Sequence, residues 1–135
     1  MSGETDLATL IASMRPRLDP LTYVWACTTE DSPSSRALAA EAVATVREAE
    51  GVTLVVTQER AEALGVAHEF PSARITLEVH SALEAVGLTA AFATALGEVG
   101  ISANVVAGFH HDHIFVPVDR AAEALAALER LAAGG

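Results

Sequence analysis

A chain of 135 residues, 51% apolar and 19% charged, is long enough for one compact core or two small fused halves, and too apolar to stay disordered. Eighteen acidic side chains against eight basic ones leave a formal net charge of -10, so the surface repels phosphate backbones and anionic headgroups, and neither nucleic acid nor membrane is expected as a partner. The single cysteine, Cys27, cannot form an internal disulfide; in its apolar strand-like run it reads as a small core residue, and it fits a reducing compartment.

The amino terminus, Met1 to Asp6, is polar and acidic where a secretory signal carries basic and then apolar residues. No apolar run approaches the ~20 residues that span a bilayer, so a cytoplasmic location is expected. Leu7, Leu10, Ile11 and Met14 recur at helical spacing behind a Thr5 or Asp6 cap, and Pro16 stops that helix. Tyr23, Val24 and Trp25 favour a strand over Leu21–Thr28, and the Asp31–Ser35 stretch reads as a loop. Ala37–Glu50 is ambiguous between helix and strand, its alanines favouring helix. Gly51 breaks that pattern, Val52–Val56 is a β-rich run, and Thr57 caps a brief helix that Gly65 ends.

Ile75, Leu77 and Val79 alternate with Arg74, Thr76, Glu78 and His80, the period-two signature of a strand with one buried face. Leu88, Phe92, Ala95, Leu96 and Val99 form a helical stripe closed by Gly100. Ile101–Gly108 and His113–Val118 read as two strands joined by a turn, and Asp119 caps a last helix that turns Leu125, Leu128 and Leu131 inward. From Arg74 onward the order is strand, helix, strand, strand, helix, all but the last strand of a βαββαβ ferredoxin-like unit. Ahead of it the order reads strand, strand, strand, helix and then the Arg74 strand, so each half looks incomplete.

The run His80–Ala91, followed by Ile101–Ala107 and His111–Val116, resembles a bacterial family of tandem ACT-domain proteins. The likeness extends to Tyr23–Trp25 and Arg47–Leu54, and it leaves only Asp31–Ala40 without a counterpart. It implies an α+β fold of two fused ferredoxin-like ACT modules, with antiparallel sheets and helices on one face. The modules would divide as residues 1–70 and 71–135, with a strand near 73–80 shared. It also implies a strand over Ala42–Glu48, homodimers or higher homo-oligomers, and a non-catalytic regulatory role in which an amino acid or similar small metabolite is bound without a cofactor.

The loop joining the Arg74 strand to the next helix is where an anion is expected, because Gly87 permits close backbone approach and the first-turn N–H groups point outward. The resemblance puts the amino-acid site of ACT modules at this loop. Glu84, Val86, Gly87, Leu88 and Thr89 are therefore the candidate ligand-binding residues, with Asn104 on a neighbouring strand and Glu84 suited to an ammonium group. The competing reading is that Ser81 and Glu84 merely form a capping box. His111 and His113, sharing one strand face, are further candidate ligand-binding residues, although a polar hairpin tip explains the His110–His113 cluster more simply than a metal site. No spacing joins Ser81 or Cys27 to a base and an orienting partner, and no phosphate loop, paired-cysteine site or zincin helix occurs. Two alternatives stay open: a small enzyme using the His110–His113 hairpin with Glu84, and a protein–protein interaction module whose sheet edge pairs with a partner.

Overall fold

The computed structural model describes residues 6–79 and 86–134. Its elements are α1 (Leu7–Ser13), β1 (Arg15–Thr28), α2 (Pro33–Glu41), β2 (Ala44–Glu48), β3 (Gly51–Thr57), α3 (Gln58–Ala63), β4 (His68–Glu78), α4 (Leu88–Glu98), β5 (Asn104–Ala107), β6 (Asp112–Pro117) and α5 (Ala121–Ala132), the last entered through a 3₁₀ turn, Val118–Arg120. They divide into two compact units, residues Pro20–Ser72 and, from the two ends of the chain, Met1–Asp19 with Ala73–Gly135.

The Pro20–Ser72 unit is a complete βαββαβ module with strand order β2-β3-β1-β4. Antiparallel registers pair Tyr23 with Thr57 and Cys27 with Thr53, then Ala44 with Val55 and Glu48 with Gly51. Alternation turns Val24, Ala26, Leu54 and Val56 to one face, where Leu38 of α2 and Ala61 of α3 close a small core. Behind it the buried Ser72 hydroxyl donates to the Tyr23 carbonyl at 2.9 Å, and Phe70 meets Trp25 edge-on with ring centroids 5.6 Å apart. Gly51 is required by a close approach: at φ 151°, an added Cβ would lie 2.8 Å from Cys27 Sγ and 2.9 Å from the Thr28 carbonyl oxygen.

The second unit runs through β4, α4, β5, β6 and α5, and takes its fourth strand from the start of β1, giving the order β1-β4-β6-β5. Arg17 of β1 and Glu78 of β4 pair at 2.9 Å. Its core is larger. Ile75, Leu77, Ile114 and Val116 from the strands meet Phe92 and Leu96 of α4, Ala124 and Leu128 of α5, and Leu10 and Met14 at α1, all on one face of the sheet. At roughly 1.5–3 kcal/mol per fully buried aliphatic or aromatic side chain, this layer is the unit's main stabilising term.

Several expectations change. Asp31–Ser35 is not a loop: Ser32 and Ser35 form a capping box, Pro33 stands in the first turn, and α2 follows. That helix supplies the element missing from the strand-strand-strand reading, and it ends before Ala44–Glu48, which does form a strand. Cys27 is exposed, because β1 buries Val24 and Ala26 on the helix face and leaves position 27 near the strand end uncovered. Asp119 does not cap the last helix; it lies inside the 3₁₀ turn, and Arg120 holds the N-cap position.

Candidate functional site

Each of the first three helices closes its own N-terminus with a side chain: Asp6 accepts from Thr9 N–H, Ser32 from Ser35 N–H and Thr57 from Arg60 N–H. Helix α4 does not. Its N-cap is Gly87, left-handed at φ 98°, with no side chain to accept a bond. The first intrahelical bond runs from Ala91 N–H to the Gly87 carbonyl at 2.9 Å, so the N–H groups of Leu88, Thr89 and Ala90 have no partner within the helix. Those three donors and the positive end of the helix dipole together suit a carboxylate.

The sequence around them builds this geometry. Leu88 is 3% exposed and anchors the first turn in the core, whereas Thr89 is exposed and Val86 is 83% exposed beside it. The left-handed φ of Gly87 admits few other residues, and a Cβ there would stand 3.0 Å from Leu7 Cδ2. From Gly87 a groove of about 530 Å3 runs along Ala90, Ala91 and Thr94 toward Glu98 and Arg130. Small side chains on this side of α4 keep it open.

Glu84, with Ser81 of the competing capping box and His80, lies outside the described residues. Val86, Gly87, Leu88 and Thr89 come together at the helix terminus. Asn104 stands elsewhere, exposed and opposite Phe115, toward the end of β5 away from the hairpin that follows Ala107.

His111 and His113 fall on the sheet rather than at the α4 terminus. An N–H of Arg74 donates to His113 Nδ1 at 3.2 Å, and the Thr76 hydroxyl lies 3.0 Å from the same nitrogen. Burial, then the nearby charges of Arg74, His111 and Arg17, hold the His113 pKa below that of a free imidazole. Its neighbour Asp112 is shifted up by burial, against a smaller opposing effect of His111. His110 instead turns toward Phe109, which is 80% exposed at the hairpin tip. Among the described residues no group of three His, Cys, Asp or Glu side chains is arranged to hold a metal ion, and no helix is long and apolar enough to cross a membrane.

Sequence reasoning missed Arg74 and Thr76 as neighbours of His113. The alternation of β4 carried half of that signal, since it put both on the face opposite Ile75 and Leu77; the pairing with β6 was not legible.

Family models described as ACT domain match residues 2–73 and 69–130. Among solved structures, the chain is similar to a Vibrio cholerae protein of unknown function, described as a possible transport protein, at 48% identity and a TM-score of 0.83 over 93% of this chain and 95% of that one. An Agrobacterium tumefaciens protein shares the fold at 19% identity and a TM-score of 0.73, covering 88% of this chain and 89% of that chain. So does the regulatory subunit of aspartate kinase from Thermus thermophilus, at 16% identity and a TM-score of 0.58 over 86% and 95% of the two chains. No curated protein matches by sequence.

Proposed function

The chain belongs to the ACT domain family, and on that premise we propose that it is a non-catalytic regulatory protein that binds a small carboxylate-bearing metabolite, an amino acid first of all, at the N-terminus of α4. The observation that carries this reading is the α4 terminus itself, where Gly87 leaves the amides of Leu88, Thr89 and Ala90 without a side-chain cap among the described residues, at the mouth of an open groove. The carboxylate accepts from those amides, Thr94 and the alanines line the remainder of the ligand, and Glu84 takes its ammonium group. The fold shared with a regulatory subunit of aspartate kinase supports the regulatory reading. In this reading the protein works in the cytoplasm, uses no cofactor and assembles as a homodimer or larger homo-oligomer, and its signal is a ligand-dependent shift between packing states.

The test uses the full chain in a thermal-shift screen against the twenty amino acids, since a ligand that binds only the folded state raises the melting temperature by mass action. A Gly87 substitution is a poor probe because strain at φ 98° confounds it. Thr89→Glu is better: an acid in the first turn stabilises a helix by about 0.3–1 kcal/mol while repelling a carboxylate ligand. The expected result is an unligated protein at least as stable as the parent, with affinity for the screened amino acid reduced about tenfold or more, the equivalent of ~1.4 kcal/mol. Unchanged affinity in Thr89→Glu would remove the α4 terminus as the site.

A further inference from the structure

The sheet of the unit built on β4–α5 has a second face, and it carries side chains that the α4 terminus does not use. Ala73, Ile75 and Leu77 of β4 and Ile114 and Val116 of β6 point into the helix-side core, so Arg74, Thr76, Glu78, His113 and Phe115 stand on the opposite face. The register adds Val106 beside His113 and Asn104 beside Phe115.

Three features on this face point to a ligand. First, the proton of His113 is placed: with Nδ1 accepting from Arg74, the neutral ring carries its hydrogen on Nε2, leaving a donor there. Gly108 keeps the approach beside that nitrogen open, since a Cβ at this position would lie 3.2 Å from it. Second, His111 Nδ1 is buried and has no hydrogen-bond partner among the described residues, a costly condition for a ring nitrogen that a bound group would relieve. Third, two guanidinium groups, Arg74 and Arg17, bear on His113 in a chain whose net charge is -10, with Glu78 on Arg17 at the rim and Asp112, its proton held more tightly by burial, on the other side of β6. Positive groups held together in a half-buried site favour an anion.

We propose that this face is a second binding site, taking the oxyanion of a small metabolite, carboxylate or phosphate, against Arg74, Thr76, His111 and His113. The oxyanion accepts from His113 Nε2–H and from an N–H at His111 Nδ1, the buried nitrogen left without a partner among the described residues. The site is separate from the α4 terminus and does not depend on it.

The experiment follows the histidine imidazole resonances of the isotope-labelled full-length protein through a pH titration, in sodium chloride, inorganic phosphate or succinate at matched ionic strength. The expected result is a saturable shift of His111 and His113 with one of the two oxyanions, a rise in the His113 pKa of about one unit as an opposite charge arrives, and no response from His68. Whether phosphate or succinate acts identifies the oxyanion. The shift is lost in Arg74→Gln and weakened several-fold in Thr76→Val, which keeps the buried shape of Thr76 should the arginine variant fail to fold. Shifts that grow linearly with salt, that chloride reproduces, that His68 shares or that both variants retain would overturn the proposal.

Discussion

His113 and Asp112 are neighbours in the chain with opposite effects on stability. The His113 pKa is depressed in the fold below its ordinary value of 6.5, so the unfolded chain binds that proton more readily, and stability falls as pH drops through 6.5. The Asp112 pKa is raised above 3.8, so the folded state holds that proton more readily, and the stability it adds is full below 3.8 and lost as pH rises through its folded pKa. Urea midpoints measured from pH 5 to 8 check both: His113→Gln should flatten the decline below 6.5, and Asp112→Asn should raise stability near pH 7 by removing a half-buried carboxylate. Unaltered slopes in His113→Gln would mean that another group carries the dependence. Cys27 shows what residue types leave out: its apolar neighbours suggested the core, yet alternation along β1 puts position 27 on the face opposite the helices, near the strand end.

At the level of elements, α2 and α4 start in opposite ways, and their caps make distinct predictions. Ser32→Ala removes the bond that the Ser32 hydroxyl accepts from Ser35 N–H while leaving the one Ser32 N–H donates to Ser35 Oγ, and should cost about 1 kcal/mol, read as a lower urea midpoint with an unchanged slope. Phe92→Ala should cost about 3–5 kcal/mol, because that ring is fully buried between α4 and the sheet. The same two helices show how far the sequence could be read. α4 was legible from its stripe of Leu88, Phe92 and Leu96, whereas of α2 only Ala37–Glu41 lay in a stretch whose alanines favour helix, and its start was hidden because Ser-Pro-Ser-Ser has the composition of a loop until the capping box is considered. β2 stayed open between helix and strand, since Thr45–Glu48 are all exposed and mark no buried face, and the family resemblance decided for the strand. For the candidate site, Gly87, Leu88 and Thr89 followed from loop type, while Asn104 did not converge with them because β5 register is a property of pairing rather than of spacing.

The whole chain is built on an unequal division. Residues 20–72 hold every strand and helix of their module in unbroken order, whereas the other unit joins residues 73–134 to a strand and a helix that precede residue 20. The family matches meet near residue 70, so sequence similarity and compactness divide the chain differently at its first 19 residues. A fragment beginning at Ala73 therefore lacks both the edge partner of β4 and the fully buried side chains Leu10 and Met14. At about 2–5 kcal/mol for each large core side chain lost, against a domain stability of about 5–15 kcal/mol, that fragment should show no cooperative melt by circular dichroism. Adding a peptide of residues 6–19 in trans should restore the transition in a concentration-dependent way, since the missing strand is then supplied by binding rather than by the chain. Cooperative melting of residues 73–135 alone would show instead that the β4–α5 elements suffice, and that the first 19 residues only decorate a core already closed.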